Sequence, residues 1–323
     1  VTLFAASGSI GGIAPVCAPT NELPYDPSRP DTVDEVESEA YGRIVSALQK
    51  RDFDIIHFNA LHFLPLLHAA SFDAPTVAVL HTPPFAPLDK SVAAAGPSVA
   101  IVSVSQSLAE TWPDLGSAPL IIDNGVDLTR FPFGRPSPDF VFAVWSGRIV
   151  PEKGLHLAMD AARLAGIPLR IAGPISNRAY WDEMIMPRLG EDSIYVGHLS
   201  QAALAALVGA AMVAICTPRW EEPFGLVVVE ALACGTPVAG FARGALPDIL
   251  DETCGALAPA DDVEGLARAI DRCLLLDRRA CRTRAEAAFD AEIMVDRYEA
   301  VYWSLVNTTS ETPRLDILEG EAA

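Results

Sequence analysis

Phe140-Val141-Phe142-Ala143-Val144-Trp145-Ser146-Gly147-Arg148-Ile149-Val150-Pro151-Glu152-Lys153-Gly154 reads as an apolar strand, a glycine-containing loop with two cations, and the entry to a helix. Beyond the loop, Leu155, Leu157, Ala158, Ala161, Ala162 and Leu164 are apolar at helical spacing. Strand, loop and helix in that order form the repeating unit of a parallel α/β sheet, which binds ligands outside the carboxyl ends of its strands. The chain has three lysines (Lys50, Lys90 and Lys153) against twenty arginines, so a lysine in this loop stands out. The plainer reading of Arg148 and Lys153 is surface charge beside a helix start, where the dipole mildly disfavours cations.

A second stretch has the same character. Glu222 and Glu230 lie eight residues apart in Glu221-Glu222-Pro223-Phe224-Gly225-Leu226-Val227-Val228-Val229-Glu230, and Ala231-Leu232-Ala233-Cys234-Gly235-Thr236-Pro237-Val238 comes next. Pro223 and Gly225 break the preceding structure. The pattern predicts a helix from Leu226 to Cys234, stopped by Gly235 with Pro237 beyond it. The amides of Phe224, Gly225 and Leu226 would then face an anion at a helix N-terminus. Glu222 falls on the lip of that site, and Glu230 lies inside the helix. One carboxylate can accept hydrogen bonds from two neighbouring hydroxyls, so the pair suits a sugar nucleotide. The alternative is one solvated glutamate and one helix glutamate paired locally.

Together, Gly147-Arg148…Glu152-Lys153-Gly154 and the Glu222…Glu230 pair closely resemble the donor site of retaining glycosyltransferases of the GT-B fold, in the large family four. Asn124-Gly125-Val126-Asp127, Val102-Ser103-Val104-Ser105-Gln106-Ser107 and Ala172-Gly173-Pro174 fit the same pattern, which runs to about Leu305. His81-Thr82-Pro83-Pro84-Phe85 and Thr217-Pro218-Arg219-Trp220 resemble a bacterial branch with members in antibiotic oligosaccharide biosynthesis of the avilamycin type. The resemblance implies two Rossmann-like, doubly wound parallel-sheet domains facing a cleft. It implies that Gly147, Arg148, Lys153 and Gly173, with the backbone of Phe224, Gly225 and Leu226, hold the nucleotide diphosphate. Glu222 would sit by the donor sugar, Glu230 would hold the ribose hydroxyls, and His81 would approach the sugar from the other domain. The implied reaction moves a sugar, with retention, from a nucleotide-sugar donor to an acceptor hydroxyl. UDP is the family's commonest nucleotide, no other cofactor is implied, and the acceptor is not legible.

Composition narrows the field further. The 323 residues, half of them hydrophobic, suffice for two domain cores. No apolar run reaches the length of a membrane span and no cationic, then apolar, signal segment opens the chain, which leaves room only for peripheral membrane contact. A net charge of −19 argues against nucleic acid and anionic lipid as partners. Cys17, Cys216, Cys234, Cys254, Cys273 and Cys281 lack Cys-x-x-Cys spacing and read as free thiols in a reducing cytosol. Asp52-Phe53-Asp54 resembles an Asp-x-Asp metal motif, but it precedes the strand Ile55–Phe58 and falls at the wrong end of a sheet. No catalytic metal is expected.

Strand-like runs at 1–5, 55–58, 76–80, 99–102 and 120–122, then at 140–145, 169–172, 194–196, 212–216 and 237–240, alternate with helical patterns. These include 39–49, 106–112, 178–189, 201–210 and 263–275. The Pro/Gly-rich Phe131-Pro132-Phe133-Gly134-Arg135-Pro136-Ser137-Pro138 reads as a linker. Residues 1–133 are expected to form the acceptor-side domain and 134–290 the nucleotide-sugar domain. By the resemblance, a helix over 291–307 crosses back to the first, and 308–323 forms a polar, disordered tail. Family members carry an earlier strand and Gly-Gly loop, so the sequence also reads as truncated at its start. Gly8-Ser9-Ile10-Gly11-Gly12 follows the wrong strand and precedes no amphipathic helix, which favours an ordinary loop.

Among the histidines, His57 and His62 flank a strand end and are candidates for the acceptor side; His68 and His156 read as helix residues, and His198 follows Gly197 in a loop that, by the resemblance, the family uses near the nucleotide base. Two other classes remain beside the transferase: an inactive nucleotide-sugar-binding protein of the same fold, and a sugar-nucleotide epimerase.

Overall fold

The computed structural model describes residues 1–5, 16–17, 30–96, 99–113, 115–137 and 140–310. The Gly8–Gly12 loop and the tail beyond 310 lie outside them, as does Pro138 of the linker. The described chain divides into two compact units: Val1–Val102 with Trp112–Leu120 and Tyr298–Ala323, and Ser103–Thr111 with Ile121–Arg297. The helix Ala291–Ser310 therefore begins in the second unit and ends in the first.

Twelve strands are described: β1 Leu3–Phe4, β2 Val16–Cys17, β3 Ile56–Phe58, β4 Thr76–Leu80, β5 Val99–Ser103, β6 Leu120–Ile121, β7 Ala143–Ser146, β8 Leu169–Ala172, β9 Ser193–Gly197, β10 Val213–Cys216, β11 Val238–Phe241 and β12 Gly255–Ala258. The first six form a four-stranded sheet, β3-β4-β5-β6, and a two-stranded one, β1-β2. The second unit has a six-stranded sheet in the order β12-β11-β10-β7-β8-β9, with every neighbouring pair parallel. Parallel neighbours need crossover helices, and these cover both faces. That explains why its inner strands read as apolar runs and not as alternation: β10 and β11 are buried at every position. The Rossmann-like reading of the sequence holds for this sheet in strand order as well as in class.

Capping side chains start the helices where the sequence places them. Ser105 Oγ accepts from the Leu108 amide at 2.9 Å, Ser200 Oγ from Ala203 at 3.4 Å, and Asp262 Oδ1 from Gly265 at 2.8 Å. Between sheet and helices lies a core that includes Leu155, Leu169, Ile171, Phe241, Leu266 and Ile270, all fully buried. Truncating one of these leucines or isoleucines to alanine would cost about 2–5 kcal/mol, because the cavity relaxes only partly.

Several expected bounds shift. The strand expected over 140–145 begins at Ala143, because Phe140 and Val141 are exposed and the Phe140 ring lies under the Arg170 guanidinium at 4.6 Å. The helix expected over 178–189 is broken into one α-turn (Arg178–Tyr180), a π-turn (Trp181–Ile185) and a 3₁₀ turn (Met186–Arg188). Pro187 has no amide hydrogen to bond back into a regular helix. Unforeseen are the helices Leu88–Ala95 and Arg278–Ala288 and the strand β12. Helix Arg278–Ala288 is so rich in arginine that its buried face is only Cys281 and Ala285, too thin a stripe to read from periodicity.

Candidate functional site

In the six-stranded sheet the chain starts at β7 in the middle, lays β8 and β9 on one side, then returns to lay β10, β11 and β12 on the other. The order reverses between β7 and β10. The loops leaving their carboxyl ends diverge there and open a crevice, the position where such sheets take ligands. A cavity of about 200 Å³ lies at that point, lined by Gly147, Arg148, Lys153, Thr217 and Glu222 among others. Four of the residues singled out in the sequence are thus brought to one pocket by two loops some seventy positions apart in the chain.

The two loops are tied to each other. Thr217 Oγ1 donates to the Lys153 carbonyl at 3.0 Å and accepts from Trp145 Nε1 at 3.2 Å, while the Arg219 amide donates to the Glu152 carbonyl at 2.8 Å. Lys153 Nζ reaches Glu222 Oε2 at 2.5 Å, and Trp220 Nε1 donates to the same oxygen at 3.0 Å. The Lys153 ammonium also lies 5.2 Å from the centre of the Trp220 ring, within cation–π range. Arg148 is exposed and makes no ion pair among the described residues. The backbone of Glu222 is pinned as well: its carbonyl accepts from the Ala245 amide at 2.9 Å. Gly244 permits this approach, because a Cβ there would stand 2.2 Å from the Glu222 carbonyl oxygen and its φ is +56°. Gly173, beyond β8, is under a similar constraint, with φ of +142° and room for a Cβ only 1.8 Å from the Gly147 carbonyl oxygen.

Beyond Glu222 the chain anchors itself before the helix. The Pro223 carbonyl accepts from buried Ser105 Oγ at 2.6 Å, and the buried Phe224 ring packs edge-on against Phe289 at 5.9 Å. Phe224 can therefore offer a ligand its backbone only. Gly225 caps a helix spanning Leu226–Ala233, whose first amides have no acceptor within the helix. At the other end Arg278 donates to the carbonyls of Gly209 and Ala211, each at 2.7 Å, and of Cys234 at 3.3 Å; Arg282 donates to the Ala233 carbonyl at 2.7 Å. Cations at a helix C-terminus satisfy orphan carbonyls and suit the dipole, so the unforeseen helix Arg278–Ala288 fixes the one that carries Glu230. Glu230 does not line the 200 Å³ cavity. Its side chain is half-buried with no hydrogen bond or ion pair among the described residues, and burial pushes its carboxyl up to about 7.

His81 belongs to the first unit, at the carboxyl end of β4. Its Nε2 donates to Asn59 Oδ1 at 3.0 Å, which leaves Nδ1 as the acceptor, and burial lowers its pKa so that the ring is neutral at pH 7. Neighbouring His57 bonds Tyr302 Oη through Nδ1 at 2.5 Å and packs at a tilt against Tyr298, while His62 is sandwiched between Tyr41 and Phe63. Both are held by the fold of their own unit. His156 sits in the helix Leu155–Leu164 with Nδ1 2.7 Å from Tyr180 Oη. Cys216, Cys234, Cys254, Cys273 and Cys281 are free and buried, and burial pushes each thiol up, Cys216 to about 12. Among the described residues no helix is long and apolar enough to cross a membrane.

Sequence reading quoted Thr217 and Trp220 only as part of a branch-like motif, without their contacts, and missed Gly244. The signal for them was their place in the loops after β10 and β11, since which loops meet depends on strand order.

Comparison with known proteins identifies the family and the fold. Residues 128–289 match the family model described as Glycosyl transferases group 1, and residues 22–130 match Glycosyltransferase Family 4. A glycogen synthase of Mycobacterium tuberculosis is 34% identical over 216 residues, covering 62% of this chain and 52% of the relative, so the match spans about half the relative's length. The MMP alpha-(1->4)-mannosyltransferase of Mycolicibacterium hassiacum is 29% identical over 299 residues, covering 80% of this chain and 72% of that one. Among solved structures, AviGT4, a glycosyltransferase involved in avilamycin A biosynthesis, superposes with a TM-score of 0.69 at 20% identity, covering 95% of this chain and 84% of its own. Anabaena Alr3699/HepE in complex with UDP-glucose gives 0.72 at 20% identity, covering 90% and 86%. At such identities these likenesses establish the fold, two Rossmann-like parallel-sheet domains of the GT-B class.

Proposed function

The chain belongs to the glycosyl transferases group 1, and on that premise we propose that it transfers a sugar from a nucleotide-sugar donor, a UDP-sugar, to an acceptor hydroxyl with retention of configuration and without a metal. The observation that carries this reading is the convergence of Arg148, Lys153 and Glu222 on the strand-order switch between β7 and β10. Arg148 and Lys153 offer charge-assisted bonds to a diphosphate, and the amides at the start of the helix Leu226–Ala233 offer more in the direction the dipole favours. These donors stabilise the leaving diphosphate, the role a metal takes elsewhere. Glu230, a carboxyl with no partner among the described residues, supplies acceptors for two adjacent ribose hydroxyls. Glu222 orients the donor sugar, and neutral His81 takes a sugar hydroxyl through Nδ1. The Anabaena neighbour's complex with UDP-glucose makes that donor the first to test. Five buried thiols support action in a reducing compartment, the cytoplasm.

The test is titration of UDP-glucose into the purified protein, with turnover followed by released UDP. Binding with turnover, and loss of both in Lys153→Ala, is the expected result. Binding without turnover at any acceptor would favour a nucleotide-sugar-binding protein, and an isomerised free donor would favour an epimerase.

A further inference from the structure

Lys153 and Glu222 are the two groups on which the proposed donor site depends most, and in the structure each is the other's partner. The ammonium and carboxylate meet at 2.5 Å with side chains only 23% and 11% exposed. A diphosphate drawn to Lys153 therefore competes with Glu222 for the ammonium, and loosening that pair frees Glu222 Oε2 to accept a sugar hydroxyl. A buried carboxylate stripped of its cation is costly unless another donor stays with it. Trp220 is placed to be that donor: its indole N–H is 3.0 Å from the same Oε2 atom, and its ring lies 5.2 Å from the ammonium that leaves.

We infer that Trp220 is a positioning residue through which the Lys153–Glu222 pair exchanges partners, its N–H retaining the carboxylate when a nucleoside diphosphate takes the ammonium. This rests on the donor-site reading above. The indole N–H bonds Glu222 both before and after the exchange, but it bonds a bare carboxylate more strongly than one already neutralised by lysine. Trp220 thus favours the exchanged state over the paired one. Arg148, which has no such partner, provides the first attraction for the incoming diphosphate. Removing the charge of Glu222 has the opposite consequence to removing an ordinary site residue: it frees Lys153, and the diphosphate binds more tightly although sugar transfer suffers.

A double-mutant cycle read by isothermal titration decides the matter, using UDP, GDP and ADP in turn as probes and following whichever binds most tightly. Glu222→Gln is expected to tighten nucleoside diphosphate binding by about three- to tenfold, the effect of one charge-assisted contact no longer competed for. Trp220→Phe keeps an aromatic ring beside Lys153 but deletes the N–H, and should weaken binding by a similar factor. In the Glu222→Gln background the same Trp220→Phe change should have no effect, because no carboxylate remains to be held. A purely structural tryptophan would lower affinity equally in both backgrounds, and that result overturns the inference. So does wild-type binding with no gain in Glu222→Gln. If none of the three nucleotides binds either wild type or Glu222→Gln, the donor-site reading itself fails, which is a distinguishable outcome.

Discussion

Glu230 allows a test in which pH is the perturbation. Its carboxyl is pushed from 4.5 to about 7 by burial, and nothing among the described residues bonds it. Ribose hydroxyls would donate to the ionised form, so donor binding and ionisation favour each other. At pH 6 about one carboxyl in eleven is ionised and at pH 8 about ten in eleven, so donor affinity should rise roughly tenfold across that interval and then level off. UDP-glucose is the suitable probe, because its diphosphate is esterified at both ends and does not titrate in this range. Glu230→Gln should flatten the profile, matching wild type near pH 6 and falling below it at pH 8. Stability has the reverse sign. The folded-state pKa is raised, so the carboxyl's contribution is complete below about pH 4.5 and is lost as pH climbs towards 7, where the unfolded chain ionises first. The rise to about 7 corresponds to about 3 kcal/mol at most, reduced to about 1–2 by partial exposure. Glu230→Gln should therefore melt higher than wild type at pH 8, and the gap should close by pH 5. A wild-type affinity independent of pH, or the same slope in Glu230→Gln, would refute the assignment of Glu230 to the donor.

Lys153→Ala, with its charge-assisted phosphate contact removed, should weaken UDP binding by about ten- to a hundredfold in calorimetry. Turnover should survive EDTA and give a product with the donor's anomeric configuration, read by proton NMR; magnesium-dependent rescue or inversion would count against the mechanism. His81→Ala should slow transfer while leaving UDP affinity within about twofold, since the residue is assigned to the sugar and not the diphosphate. Gly173→Ala places a Cβ 1.8 Å from the Gly147 carbonyl oxygen at a φ of +142°, and should lower stability by about 2–4 kcal/mol; Gly190→Ala, with nothing within 4 Å, is the control in thermal melts.

Much of the second unit was legible because its strands are short apolar runs punctuated by glycine and proline. The bounds of β8 and of the helix Gln201–Ala210 coincide with the reading, and the helix Leu226–Ala233 ends one residue early. Arg148, Lys153 and Glu222, singled out from two motifs and their resemblance to a donor site, do line one cavity. Their mutual contacts were not legible. That Lys153 meets Glu222, and that Trp220 joins them, depends on β10 lying beside β7, a neighbour relation that periodicity does not carry. β12, with Gly255 and three small or aliphatic residues, offers too few β-branched or aromatic side chains to announce a strand. The helix Arg278–Ala288 hid its role because its structural work is done by charged side chains that reach back to carbonyls.

The central claim is that a nucleotide binds where the loops after β7 and β10 diverge. Backbone hydrogen exchange measured with and without saturating UDP tests it directly. Slowed exchange concentrated at 147–154 and at 222–230 is the predicted result. Unchanged exchange in both segments, with protection confined to the unit that carries His81, would contradict it.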